Sequence, residues 1–306
     1  MIKLIRADFL RLFGYKRFLL LMGLTAAFAA YLNYGQTVTV NAGGNYSFFP
    51  FELLFYCSFI ITTFIAFFSG INFTDGVIRN KLFSGYSKTQ IYLSNSLVSA
   101  FMASVFTAVY MLSGVWLVVK DIMDIRTFLA YILVSVIASV AFSAVGTFVA
   151  FIFRGKAVPI VVSAVLIVGM LLATGKTQEM LSHTEYTQVL DTVNGVPYEE
   201  ALFVSASDEL TFKEVKDPNY ISDENLRKVL ETVFRILPTS VNDTVASMDY
   251  TPEYSEYAVQ RENFNEYVDI TSPENAFNAG NVPYVLAFIT VFTCAGVLIF
   301  RKKDIN

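Results

Sequence analysis

Six stretches of this chain are almost continuously apolar, and each approaches the length that a helix needs to cross a bilayer. About 20 apolar residues span the roughly 30 Å hydrocarbon layer as an α-helix. The stretches are 18–33, 51–71, 91–119, 127–153, 157–174 and 282–300. They predict an all-α integral membrane protein with six transmembrane helices, so that both termini lie on the same side.

A long polar segment, 177–280, separates the fifth stretch from the sixth. Alternating residues at 187–193 and 210–213 are typical of short strands. The segment Ser222-Asp223-Glu224 begins a helical pattern that continues through Leu226, Leu230, Val233 and Leu237, and Pro238 ends it. The sequence therefore predicts an amphipathic segment (1–17), five spans (18–176), a mixed α/β domain (177–280), and a last span with a basic tail (281–306).

Composition agrees with a membrane protein and limits the available chemistry. Hydrophobic residues make up 55% of the chain, and the mean hydropathy is +0.52. With one histidine, His183, and two cysteines, no multi-cysteine zinc site can form, and any Ser–His–Asp set would depend on that histidine. We expect neither a catalytic centre nor a metal site on this chain, and a membrane-bound hydrolase is disfavoured.

The charges are divided unevenly. Segment 177–280 holds 20 acidic and 6 basic residues, a net charge of −14, whereas the rest of the chain has a net charge of +10. Thirteen bases flank one side of the predicted spans: Lys3, Arg6, Arg11, Lys16, Arg17, Arg79, Lys81, Lys88, Arg154, Lys156, Arg301, Lys302 and Lys303. Because cytoplasmic loops are enriched in Lys and Arg, both termini are predicted to be cytoplasmic and 177–280 extracellular.

The N-terminal 17 residues have apolar positions at helical spacing: Ile2, Ile5, Phe9, Leu12 and Phe13. This pattern favours an amphipathic helix on the inner leaflet. The alternative is a basic flank that only orients the first span.

Few ionisable residues lie within the spans, and the exception is Glu52 at the outer edge of the second. This argues against a proton-driven or ion-driven transporter. Ser135, Ser139 and Ser143 recur at every fourth position, which favours close helix packing. The alternative is that they line a substrate route.

The loop between the second and third spans has the pattern of a short capped helix. Thr74 or Asp75 can cap it, and Gly85 can end it in the left-handed conformation. Ser87 can then begin the next helix. Its apolar edge consists of Val77, Ile78, Leu82 and Phe83. An apolar edge exposed to the cytosol indicates a surface that a partner covers.

Segment 75–88 resembles the coupling-helix region of bacterial type-two ABC exporter permeases. The matching residues are Gly76, Arg79, Asn80, Lys81, Gly85, Ser87 and Lys88. Residues 6–17 are similar to the family's elbow helix, and 235–239 to the point where its outer domain returns to the membrane. The resemblance implies a permease in a bacterial plasma membrane, paired with a second copy or a paralogue. It also implies separate ABC ATPase subunits that bind ATP and Mg, and the chain itself has no phosphate-loop motif.

The resemblance also implies specific roles for residues. Those that would dock the ATPase are Gly76, Arg79, Lys81, Leu82, Phe83 and Gly85. For Arg79 and Lys81 the alternative is anchoring at the inner leaflet. Independently of the resemblance, an aromatic series in the acidic domain is a candidate substrate surface: Tyr250, Tyr254, Tyr257, Phe264 and Tyr267. The alternative is that these rings pack against the outer leaflet or in the domain's own core. The expected substrate is a peptide, lipid-like or drug-like molecule. A receptor or resistance sensor whose outer domain binds a ligand is the alternative function.

Overall fold

The computed structural model describes residues 1–41, 54–116, 125–183, 185–193, 196–197, 210–241 and 281–303. Within these ranges the chain is mostly helical. Glu52 and the predicted aromatic series at 250–267 lie outside the described residues.

Nine helices and three strands are assigned in these ranges. The helices are α1 (Ile2–Gly14), α2 (Lys16–Asn41), α3 (Leu54–Thr74), α4 (Val77–Phe83), α5 (Lys88–Tyr110), α6 (Ile125–Phe153), α7 (Ala157–Ser182), α8 (Glu224–Ile236) and α9 (Val282–Lys302). The strands are β1 (Tyr186–Val193), β2 (Val196–Pro197) and β3 (Leu210–Lys216). A π-helical turn, Met111–Val115, continues α5.

Five of the described helices are long and apolar enough to cross a membrane: α3, α5, α6, α7 and α9. A sixth span results if α1 and the apolar part of α2, which meet at a bend of 60°, are counted as one. The chain is therefore a multi-pass membrane protein. The count of six spans stays a prediction, because it depends on how this bent pair meets the bilayer.

Contacts divide the described residues into two units. The first comprises 1–174, 235–241 and 281–303, and the second comprises 175–234, each within the described ranges. The boundaries predicted from sequence stay a prediction.

Helix α6 is the centre of the first unit and packs against α3, α5 and α9. Small residues allow these helices to approach closely. A Cβ at Gly146 would lie 2.7 Å from the Thr62 carbonyl oxygen of α3, and the Ser139 hydroxyl bonds the Thr107 hydroxyl of α5. Ser135 and Ser143 are also buried, so the serine repeat lies in the packed interior.

The second unit contains an antiparallel sheet with strand order β2–β1–β3. Its helix α8 begins after Asp223, whose Oδ1 accepts hydrogen bonds from the backbone N–H of Asn225 at 2.9 Å and of Leu226 at 3.3 Å. The imidazole of His183 bonds Asp217 at 2.8 Å. Strands at 187–193 and 210–213 are present where the alternation predicted them. A mixed α/β extracellular domain over 177–280 stays a prediction, because much of that segment is outside the described residues.

Candidate functional site

Two glycines with positive φ and one capping box define the segment around α4. Gly76 precedes the helix with φ +70°, and Gly85 follows it with φ +84°. Ser87 then begins α5: its hydroxyl accepts from the Gln90 N–H at 3.2 Å, and the Gln90 side chain accepts from the Ser87 N–H at 3.0 Å. The predictions for Gly85 and Ser87 are confirmed.

The prediction that Thr74 or Asp75 caps α4 is wrong. Gly76 is the residue before the helix, and no side chain caps it. The Thr74 hydroxyl instead donates to the Ile71 carbonyl oxygen at 3.1 Å, so it completes the end of α3. The Asp75 carboxylate lies 3.4 Å from the Lys156 ammonium. Because Gly76, in the left-handed conformation, separates α3 from α4, the Thr74 hydroxyl bonds to α3 and does not cap α4.

One apolar cluster joins α4 to the ends of four other helices. We call it the basic-end cluster, and its buried members are Leu4, Ile78, Ile91, Tyr92, Phe151 and Phe300. The Phe151 ring makes edge-to-face contacts with Phe73, Tyr92 and Phe300, at centroid distances of 5.0, 4.8 and 4.8 Å. Since the cluster holds residues of α1, α4 and the last turns of α9, these elements lie at the same end of the bundle. We call it the basic end, because these three helices carry many of the thirteen flanking bases.

Most of the apolar edge of α4 is covered by this same chain, which corrects the expectation that a partner covers it. Ile78 is 2% exposed, and Leu82, one turn later, packs against the basic-end cluster. Phe83 is one further residue along and is 82% exposed. A helix turns by about 100° per residue, so Phe83 leaves the buried face that Ile78 and Leu82 share. Of the four residues on this edge, Phe83 is the exposed one.

A buried ion pair links α4 to α1. The Lys81 ammonium donates to Asp8 Oδ1 at 2.6 Å, and the Ser94 hydroxyl of α5 donates to Asp8 Oδ2 at 2.6 Å. The Lys81 and Asp8 side chains are only 11% and 10% exposed. Burial lowers the pKa of Lys81, and the nearby Asp8 charge opposes this shift. Three helices therefore meet at one carboxylate.

A second polar chain runs from α1 into the bundle. The Arg11 guanidinium donates to the Asn72 side-chain carbonyl. The Asn72 amide donates to Asn95 at 2.7 Å, and the Asn95 amide donates to the Ser69 hydroxyl at 2.7 Å. Asn72, Asn95 and Ser69 are buried. Because a buried polar group without a partner is costly, this chain holds α1, α3 and α5 in one arrangement.

The predicted docking residues occupy two different environments. Arg79, Phe83 and Gly85 are exposed, whereas Gly76, Lys81 and Leu82 are partly buried. The Lys81 ammonium is directed to Asp8, so its clearest contact is internal. The docking roles of all six stay predictions.

Sequence reasoning missed the central position of Asp8. Helical spacing placed Ile2, Ile5, Phe9, Leu12 and Phe13 on one face of α1, but the buried line is Leu4, Asp8 and Leu12. Phe9 and Phe13 contact Phe101 of α5 at 5.0 and 6.2 Å. The signal in the sequence was that Asp8 lies four residues after Leu4 and four before Leu12, which places its carboxylate on the same helix face as these two leucines.

No family model, no curated protein and no solved structure matches this chain. The resemblance of segment 75–88 to exporter permeases therefore depends on the sequence of that segment alone.

Proposed function

We propose that this chain is the membrane-spanning permease subunit of an ATP-driven ABC exporter in a bacterial plasma membrane. Two permeases would form the translocation route and would bind separate ATPase subunits through α4. In this proposal the basic end is cytoplasmic and 177–280 is extracellular, as the thirteen flanking bases favour.

One observation carries the proposal: α4 is held firmly on one side and exposed on the other. Its inner side is fixed by Ile78 in the basic-end cluster and by the Lys81–Asp8 pair. Its outer side presents Phe83, which is 82% exposed, with Arg79 and Asn80. A short helix that only connected two spans would need neither the buried ion pair nor the exposed aromatic ring.

This arrangement suits the transmission of force. A displacement applied at Phe83 would be passed through Ile78 to Ile91 of α5, Phe151 of α6 and Phe300 of α9, because packed side chains transmit strain. Closure of an ATPase pair could thereby change which side the route opens to. The substrate class is a peptide, lipid-like or drug-like molecule, with the series at 250–267 as the candidate contact surface.

Affinity purification from the native membrane tests this proposal. We expect the wild-type chain to retain a stoichiometric nucleotide-binding chain. Phe83→Asp and Arg79→Glu should each reduce that recovery at least tenfold, because they alter the exposed side of α4 and leave Ile78 and Lys81 in place. Lys81→Glu is unsuitable here, since it would also break the buried pair with Asp8.

Arg6→Glu is the matched control for Arg79→Glu. Arg6 is an exposed arginine of α1, at the same end of the bundle, and the charge change is identical. It should leave recovery of the ATPase unchanged. Absence of any nucleotide-binding chain from the wild-type preparation, after cross-linking in the membrane, would contradict the permease proposal and favour a receptor or sensor.

A further inference from the structure

A cleft opens at the basic end, beside α4 and the turn between α6 and α7. Its volume is about 350 Å³, and its lining residues are Phe73, Thr74, Gly76, Ile78, Arg79, Arg154 and Gly155. Two guanidinium groups and two large apolar side chains therefore share one opening. The cleft lies where α3 and α6, both of membrane-spanning length, end.

Positive charge predominates around this cleft. The Asp75 carboxylate lies next to it but is already 3.4 Å from Lys156 and 3.9 Å from Arg11. The carboxyl ends of α3 and α6 add about half a negative charge each, which is less than the charge of Arg79 and Arg154 together.

A third base lies close by, on the residue that follows α9. The Lys303 ammonium donates to the carbonyl oxygen of Ile152, two residues before Arg154 of the cleft. Burial lowers the pKa of Lys303, and the neighbouring Arg154 charge lowers it further. The cleft is therefore positively charged overall.

The backbone holds Arg154 in an unusual conformation. Its φ is +43°, and that of Gly155 is +148°. A side chain at Gly70 of α3 would overlap the Gly155 carbonyl, so the turn packs directly against that helix. A non-glycine residue with positive φ persists only where its surroundings impose it, and such residues concentrate at binding sites. The strained turn fixes the position of Arg154 at the cleft.

We propose that this cleft binds the phosphate of an anionic phospholipid from the leaflet at the basic end. Guanidinium groups bind phosphate oxygens in pairs of hydrogen bonds, and Arg79 and Arg154 supply them. Phe73, which is only partly buried, offers apolar surface beside the phosphate. Helix α7 begins two residues after Gly155 and exposes Val158 and Val161, which are 52% and 61% exposed, to acyl chains.

The apolar surface favours a lipid over free phosphate. An inorganic phosphate ion would use the two arginines but would gain nothing from Phe73 or the exposed valines of α7. This inference does not depend on the permease proposal, because it needs only the cleft and a bilayer.

Lipid binding is measured on the full chain, purified alone in detergent without any ATPase. Native mass spectrometry and thermal unfolding are followed during titration with phosphatidylglycerol, phosphatidylcholine or inorganic phosphate. We expect phosphatidylglycerol to bind and to raise the Tm, with an apparent Kd at least tenfold lower than that for phosphatidylcholine. Arg154→Gln and Arg79→Gln should each weaken phosphatidylglycerol binding about tenfold.

Two further variants separate the cleft from general attraction to a basic surface. Arg6→Gln removes an exposed arginine at the same end, outside the cleft, and should leave binding unchanged. Arg154→Lys keeps the charge but loses the paired donors, so it should recover only part of the affinity. If Arg154 variants fold poorly, Arg79→Gln still tests the site, because Arg79 is exposed.

Three results would overturn the proposal. The first is equal binding of the two lipids. The second is an equal loss of affinity for Arg6→Gln and Arg154→Gln. The third is stabilisation by inorganic phosphate alone that matches that of phosphatidylglycerol, which would assign the cleft to a soluble anion.

Discussion

Two ion pairs with the same nitrogen–oxygen distance show how differently the two units of this protein use charge. Lys81 and Asp8 in the first unit are 2.6 Å apart, and so are Lys228 and Glu224 in the second. The first pair is 11% and 10% exposed, and the second is 66% and 79% exposed. The nitrogen–oxygen distance therefore does not decide how much each pair affects stability. The burial of the pair does.

The pairs also differ in what they connect. Lys228 and Glu224 are one turn apart on α8, so their contact stabilises that helix alone. Lys81 and Asp8 are 73 residues apart and lie on different helices. Their contact fixes tertiary structure. The Lys228–Glu224 pair is local and screened by water, whereas the Lys81–Asp8 pair at the basic end determines how helices meet.

The largest expected effect comes from removing one member of the buried pair. Lys81→Ala leaves the Asp8 carboxylate nearly buried and without its cation, while the Ser94 hydroxyl still donates to it. We expect the free energy of unfolding to fall by about 3 kcal/mol or more. Lys228→Ala should change it by less than about 0.5 kcal/mol. Denaturation by SDS in mixed micelles, followed by helical circular dichroism, measures both.

Equal effects of the two alanine variants would contradict this comparison. They would mean that water reaches Asp8 as freely as it reaches Glu224. Repeating the Lys228→Ala measurement at low and at high salt serves as a control, because an exposed pair is screened and a buried pair is much less so.

Local features of this protein could be predicted from sequence, and long-range contacts could not. Gly85 and Ser87 act through residues three to five positions away, so their roles follow from the pattern of segment 75–88. Apolar length alone identified the spanning helices α3, α5, α6, α7 and α9. These are short-range or compositional properties.

The Asp8–Lys81 contact depends on how α1, α4 and α5 are placed relative to one another, and the periodicity of a sequence does not specify this. The same limit explains the error about the apolar edge of α4. The pattern showed that Ile78, Leu82 and Phe83 were near one another. Only the packed structure shows that Ile78 lies in one cluster with Phe300 and Leu4, whereas Phe83 is exposed. Charge counting likewise showed a basic side without showing that Arg79 and Arg154 share a cleft.

Replacing both members of the buried pair sharpens the comparison. Asp8→Leu with Lys81→Met exchanges two charges for apolar side chains, and such exchanges are often neutral where single removals are not. We expect the double variant to be more stable than the two single losses predict, by a coupling energy of about 2 kcal/mol. The same cycle at Glu224 and Lys228, with the same replacement types, should give a coupling below about 0.5 kcal/mol. Unfolding in SDS measures both cycles.

A coupling energy near zero for Asp8 and Lys81 would show that their contact does not link α1 to α4. The Ser94 hydroxyl would then be the dominant partner of Asp8, and Ser94→Ala would cost as much as Lys81→Ala.

The smallest expected effect is one in which the two units should behave alike. Ser87 caps α5 in the first unit and Asp223 caps α8 in the second, each through a hydrogen bond to the start of its own helix. Because a cap acts locally, Ser87→Ala and Asp223→Ala should each cost about 1 kcal/mol, despite the different surroundings. Amide hydrogen exchange at the first turns of α5 and α8 measures each loss directly. A much larger cost for Ser87→Ala would mean that fraying of α5 is transmitted to Ile91 and the basic-end cluster. Even a local hydrogen bond would then stabilise the tertiary structure at that end of the bundle.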